Sequence, residues 1–334
     1  MKTTHKKIIT LVTALVMVIV GFVSLTGCTS QQQTNLIRID GAFALQPMMI
    51  KWTDEYHKLH PNVTFDVQAS GAGVGMNLML ARQIDLAMLS RAINNSEVTK
   101  GAVYVSVARD AVFATINSQN PVINQIMAKG VTKKELRLIF INGTITTWGQ
   151  LVGNPNITTP INIYTRGDAG CGAADTFAKY LGNYKQGNLS KHAKNAPTGD
   201  VEMAQDIVAD PDGIGYNNMA YIYDANGNFQ YNGSLRPIPL DLNSDGILNT
   251  TENFYNNRVA LQNAINTNFL PAPPARVENL AVYHNFSGPV KAFVLWILNA
   301  SGGQQYVSST GYVALPADII QQQITYIETG IRPQ

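Results

Sequence analysis

Two groups of residues have types and spacings that do chemistry. The first is Asp241-Leu242-Asn243-Ser244-Asp245-Gly246-Ile247-Leu248-Asn249-Thr250-Thr251-Glu252. It satisfies the calcium-loop pattern D-x-[DN]-x-[DN]-G-x5-E at every required position. Asp241, Asn243 and Asp245 offer side-chain oxygens, and Ile247 its backbone carbonyl. Asn249 acts directly or through water, Glu252 with both oxygens, and Gly246 makes the turn. Pro237 and Pro239 forbid an incoming helix. The expectation is therefore a lone, structural Ca2+ loop at 241–252. The competing reading is a metal-free surface turn rich in Asn and Asp.

The second group is three glycine-rich segments, Gly41–Ala44, Ser70–Gly75 and Gly170–Ala173. Each sits between an expected strand and a following helix, where backbone N–H groups approach a ligand and the helix start adds partial positive charge. Convergence of the three with Arg91 and Arg166 makes an anion cradle. The middle segment is no dinucleotide fingerprint, because Asp85 precedes the next strand instead of following it, and no Walker lysine is present. Asp168 has a simple alternative as a salt bridge to Arg166. Cys171, on a strand-to-helix turn, invites a nucleophile reading. His57, His60, His192 and His284 are scattered without a partner motif, however, and no Gly-x-Ser-x-Gly elbow exists. The chain is expected not to be an enzyme.

The elements that must position these residues alternate. Leu36–Ile39, Val63–Val67, Asp85–Leu89, Val103–Val107, Val112–Ile116 and Ile161–Tyr164 read as strands. Met48–Leu59, a segment starting at Gly75, Pro289–Leu298 and a short piece near Gln304 read as helices. Ala225–Pro274 is rich in Asn, Gly and Pro without clear periodicity, and reads as an insertion or a return crossing. Such alternation predicts an α/β fold with mostly parallel sheets flanked by helices. The 334 residues are 45% hydrophobic and 14% charged, too apolar for disorder and long enough for about two lobes. Lys plus Arg total 24 against 22 Asp plus Glu, a net +2 with no clustered basic run. That charge balance points away from polyanions and towards a small ligand.

The N-terminus reads as an export signal: Lys2, Lys6 and Lys7, then an apolar stretch from Ile8 to Val23. Leu25-Thr26-Gly27-Cys28 resembles a lipobox, with cleavage before Cys28 and lipid on its sulfur. An uncleaved anchor is the alternative. Either way the fold is expected outside the cytoplasm, at the outer face of the membrane. A lipidated Cys28 leaves Cys171 without a disulfide partner.

These residues resemble the phosphate-type solute-binding lipoproteins of ABC importers, from about Leu36 to Ile324. Gly41–Pro47, Ser70–Met76, Asp85-Leu86-Ala87-Met88-Leu89-Ser90-Arg91, Leu138–Phe140 with Thr147-Trp148, Arg166–Asp168 with Asp175–Phe177, Ile214–Tyr216 and Gly311–Val313 fall on that family's motifs in order. The resemblance implies a type II periplasmic-binding-protein fold with a cleft between two lobes. Lobe I would be 36–114 plus 276–334 and lobe II 115–275, after a signal peptide (1–27) and a lipidated tether (28–35). It implies an ABC permease partner, a monomer, and a small oxyanion held by Phe43, Ala44, Gly71, Ala72, Gly73, Ser90, Arg91, Arg166, Asp168, Cys171, Gly172 and Ala173. Asp168 would accept a proton from the ligand. Family hydroxyls are replaced here at Phe43, Ala44, Ala72, Cys171 and Ala173, which leaves Ser90, Arg91, Arg166, Asp168 and backbone N–H groups for an anion site. A non-transport surface or sensory protein for another ligand is the second reading.

Overall fold

The computed structural model describes residues 35–332. The expected signal peptide, the lipidated Cys28 and most of its tether lie outside the described residues. Strand β1 (Asn35–Gly41) alternates as a half-buried strand should, with Ile37 and Ile39 inward and Leu36 and Arg38 outward. Helix α1 (Gln46–Leu59) begins with Pro47 in its first turn, where a missing N–H costs nothing. It buries Met48, Met49, Trp52, Thr53 and Tyr56 on one face. β2 (Val63–Val67), helix α2 (Ala72–Leu80) and β3 (Leu86–Leu89) follow, with β2 and β3 both parallel to β1.

The expected strands Val103–Val107 and Val112–Ile116 are one strand, β4 (Ala102–Asn117). Arg109-Asp110 read as a break because a charged pair interrupts the apolar run. Both side chains instead find partners inside the fold, Arg109 on Asn266 and the Ala314 carbonyl, Asp110 on Arg276. Beyond β4 come β5 (Asn162–Ile163), helix α3 (Gly172–Gly182), helix α4 (Gly199–Ala209), β6 (Gly213–Asn218) and β7 (Leu235–Pro237). Helix α5 (Arg258–Asn266), β8 (Ala275–Tyr283), helix α6 (Gly288–Leu298) and helix α7 (Ala317–Thr329) complete the described chain at this level. The strand order is β2-β1-β3-β8-β4-β6-β5, with β7 beside β4. Pairing is parallel within each end of this order (β2-β1-β3 and β6-β5). The strands joining the two ends, β4 and β8, run antiparallel to their neighbours.

Two hydrophobic cores result. One gathers Ile37, Trp52, Met76, Met88, Phe293 and Ile297. The other gathers Phe140, Trp148, Phe177, Tyr216 and Leu261, with the Phe177 and Tyr216 rings stacked at 4.7 Å. β4 passes from the first core at Ala108 to the second at Ala111, and β8 returns from Ala275 to Leu280. Helix α5 lies in the 225–274 segment, which shows no clear periodicity in sequence and reads there as an insertion or a return crossing. Its Asn-rich composition hides Leu261, Ala264 and Ile265 at helical spacing, and Asn257 caps it by accepting from the Val259 N–H at 2.8 Å. Asn35–Gln334 forms one compact unit, and among the described residues no helix is long and apolar enough to cross a membrane.

Trp52 pins the C-terminal return to the first core: its indole N–H donates to the Gly303 carbonyl at 2.9 Å, fully buried. Trp52→Phe leaves that carbonyl unpaired and opens a small void. Urea unfolding should show a loss of about 2–4 kcal/mol.

Candidate ligand-binding cleft

The glycine-rich loops meet because of close approaches that only small residues permit. Gly41, at φ +141°, ends β1 where an added Cβ would fall 2.2 Å from the Met88 carbonyl oxygen. Asp40 then holds the next loop: its Oδ1 accepts from the N–H groups of Gly41 and Ser70 and from the Ser70 hydroxyl. On the opposite side, the loop 165–171 is fixed by Tyr216, whose hydroxyl accepts from the Arg166 N–H at 3.0 Å. Gln186 adds a second clamp, donating to the Asp168 carbonyl at 2.7 Å and accepting from the Cys171 N–H at 3.0 Å.

Between these loops lies a cavity of about 10 Å³, room for roughly one water. The two halves therefore stand closed on each other. Of the residues expected from sequence, Phe43, Ala44, Gly71, Ala72, Ser90, Arg166, Asp168, Cys171, Gly172 and Ala173 line it. Gly73 does not; it lets the loops touch, since a Cβ there would sit 3.1 Å from the Gly170 Cα. Arg91 does not either. Glu97, six residues on, captures its guanidinium through two hydrogen bonds of 2.6 and 3.0 Å. Arg91 instead walls a separate groove of about 430 Å³ together with Lys179 and Arg276.

Arg166 dominates the electrostatics. It is 2% exposed, and its Nε and Nη2 donate to the two oxygens of Asp168 at 2.7 and 3.0 Å. Its Nη1 donates to Asp200 at 2.9 Å, and the Phe43 ring lies 5.3 Å from the guanidinium. Burial pulls the guanidinium's pKa down, but the carboxylates of Asp200 and Asp168 more than offset that, so it stays charged. The salt-bridge alternative for Asp168 is thus what the geometry shows. Asp200 and Asn218, which line the same cavity, were missed by sequence reasoning. The signal was present: Gly199-Asp200 opens helix α4, where an acid is favoured by the helix dipole. Asn218 Nδ2 in turn donates to Asp200 at 2.6 Å.

In this closed form one guanidinium faces two carboxylates, and Ser90 carries the sole hydroxyl among the lining residues. The Asn218 amide donates to Asp200, and the other donors are backbone. The first N–H groups of α2 (Ala72) and α3 (Gly172, Ala173) have no intrahelical acceptor by position, and both helix starts favour negative charge. Burial pushes the Cys171 thiol up to about 12, although Arg166 pulls it down. It is a neutral thiol that accepts from the Ala174 N–H at 3.5 Å, as a serine cap would.

The 241–252 loop also closes on itself. Carboxylate oxygens of Asp241, Asp245 and Glu252 come within 4.8 Å of one another. Asp241 accepts from the N–H groups of Ser244 and Gly246 at 2.7 and 2.9 Å. Glu252 accepts from those of Leu242 and Asn243, and from the Asn249 amide at 2.8 Å. Asn243 donates to Asp245 at 2.9 Å, and the Ile247 side chain is exposed.

Gly172 is the contact point of closure. An added Cβ would fall 2.0 Å from the Ser90 hydroxyl oxygen and 2.5 Å from its carbonyl oxygen, and a backbone oxygen has no rotamer to escape into. Gly172→Ala should fold normally yet stay open. Small-angle scattering should give a larger radius of gyration than for the parent chain; an unchanged radius contradicts this.

Comparison with known proteins shows the family. The Synechococcus elongatus protein SphX is 29% identical over 301 residues, covering 85% of this chain and 79% of SphX. The phosphate-binding protein PstS of Pseudomonas aeruginosa is 25% identical over 308 residues, covering 85% and 84%. In solved structures the fold recurs in a Clostridium perfringens substrate-binding protein with bound phosphate, at TM-score 0.67 and 20% identity, covering 84% of this chain and all of that one. It recurs also in an ABC-type phosphate transport receptor from Vibrio cholerae, at TM-score 0.58 and 21% identity, with 84% and 100% covered. A family profile described as the PBP superfamily domain matches residues 28–268. The chain belongs to that family.

Proposed function

We propose that this chain is the extracytoplasmic solute-binding component of an ABC importer, capturing phosphate or a related small oxyanion between its two halves. One observation carries the reading: a buried arginine and the first residues of two helices line a single cavity, with residues of both cores in its wall. SphX and PstS cover most of this chain, and PstS is named for phosphate binding.

The charge balance gives the ligand its form. Arg166 is already matched by Asp168 and Asp200, so a fully ionised oxyanion meets a wall with one excess negative charge. An oxyanion that still carries a hydrogen donates it to a carboxylate and turns repulsion into a charge-assisted hydrogen bond. Sulfate has no hydrogen to give at neutral pH. The Ser90 hydroxyl, the Arg166 guanidinium and the backbone N–H groups then hold the remaining oxygens. Cys171 packs and caps in this reading, and no covalent step is assigned to it.

The lipid on Cys28 belongs to the same proposal, tethering a monomer at the outer membrane face beside its permease. So does calcium at 241–252. Asp241 and Glu252 are 4% and 3% exposed, and among the described residues neither is ion-paired to a cationic side chain. Buried carboxylates left without a cation are costly, and Asp241, Asn243, Asp245, Ile247, Asn249 and Glu252 supply the oxygen set that Ca2+ takes.

Calorimetric titration tests the ligand, after unfolding and refolding to strip any carried-over solute. Phosphate should bind at one site, and sulfate at the same concentration should not compete. Folded protein that gives no heat with phosphate overturns the reading. For the metal, Ca2+ at a hundredfold excess over its dissociation constant should stabilise the chain by about 2.7 kcal/mol. Glu252→Gln should remove that gain in a thermal melt, and equal melts with calcium and with chelator in the parent chain refute the site.

A further inference from the structure

The strands that join the two halves carry a cluster the ligand reading leaves unused. Asp110 on β4 and Glu278 on β8 are fully buried, and Arg276, also on β8, is 9% exposed. Arg276 Nη2 donates to Asp110 Oδ2 at 3.1 Å and to the Asn218 side-chain oxygen. Its Nη1 donates to the Thr176 hydroxyl at 3.3 Å, and its Nε lies 3.0 Å from Glu278 Oε1. One guanidinium thus serves two carboxylates. Neither oxygen of Glu278 accepts a hydrogen bond, and nor does Asp110 Oδ1. An ionised carboxylate so placed is strongly disfavoured, whereas a protonated one is tolerated.

The cluster is wired to the cleft. Asn218 bridges Arg276 to Asp200, and Asp200 bridges to Arg166 and so to Asp168. Arg276 also walls the 430 Å³ groove, with Arg91 and Ile93 on one side and Asp175 and Lys179 on the other, while Asp110 and Glu278 lie behind it, fully buried.

We propose that the Asp110–Arg276–Glu278 cluster is a proton-binding site linked to closure: the halves close with a proton on Glu278 and release it when they part. The linkage rests on the opening and closing that ligand capture requires. For both carboxyls burial is the main cause and Arg276 opposes it, while Asp110 adds to the rise at Glu278 and Asp200 to that at Asp110; Glu278 is pushed up to about 8 and Asp110 to about 6. The groups facing Glu278 are Arg276 on its own strand, Asp110 on β4, Asp200 at the start of α4, and Tyr312, a phenol that burial keeps neutral. In the proposed open form Glu278 returns towards its ordinary value of 4.5. Between those two values the closed form binds one more proton than the open or unfolded chain. Closure is therefore favoured at the low end of that window, loses its advantage as pH rises towards 8, and is unaffected above it.

The full chain decides this in two steps. Without ligand, thermal unfolding of the parent should give a lower midpoint at pH 8.5 than at pH 6.5, and Glu278→Gln should flatten that slope. With phosphate, whose own ionisation is common to both proteins, the parent should lose roughly tenfold more affinity than Glu278→Gln over the same interval. An infrared carbonyl band of a protonated carboxyl at pH 6.5, lost above pH 8, reads the proton in the parent directly and does not depend on the variant folding. Identical pH slopes in parent and variant, or absence of that band, overturn the proposal. Failure of phosphate to bind refutes only the ligand reading, because the unliganded melts and the band still report the proton.

Discussion

A guanidinium removed from water must be surrounded by acceptors, and at Arg166 that requirement organises the cleft. Asp168 comes from the same loop and Asp200 from the first turn of a helix more than thirty residues later, so the arginine can be satisfied only when both segments are in place. Tyr216 and Gln186 then hold the loop's backbone, leaving the side chains free to face the cavity. Asp200 is shared further with Asn218, and through it the site reaches the strands that connect the halves. What looks locally like one ion pair is the end of a polar chain running to the back of the molecule.

The wall around that arginine is made of small or apolar residues: Ala42, Ala44, Ala72, Ala173 and Cys171. Their effect is to bring helix starts and loop backbones within reach of one point. Donors on the backbone differ from hydroxyls in that they cannot rotate to suit a ligand. Recognition built this way depends on where the loops are, and hence on the close contacts at Gly41 and Gly172 that set loop position.

Much of this was legible in the sequence. Val63–Val67 reads as a strand by alternation and is one, and ten of the twelve residues expected to face the anion line a single cavity. What escaped did so for physical reasons. Arg109-Asp110 interrupts an apolar run, and only a partner far along the chain, Arg276, makes it compatible with a continuous strand. Helix α5 is held by three apolar residues among asparagines, too thin a stripe to stand out. Arg91 carries the right charge at the right place in the motif, but sequence does not reveal that Glu97 will turn back to take it. Asp200 lay outside every glycine-rich segment, and its role follows from where helix α4 begins in space.

The passage of β4 and β8 through both cores has a consequence for how the chain folds and fails. Ala102–Ala108 complete one hydrophobic interior and Ala111–Ile116 of the same strand complete the other, so neither half owns a full set of strands without the other. A chain cut between the halves would leave two sheets each with an exposed, unpaired edge. Loss of order in one interior pulls its strand from the other. The molecule therefore has two interiors on one framework, which denatures as a single cooperative unit.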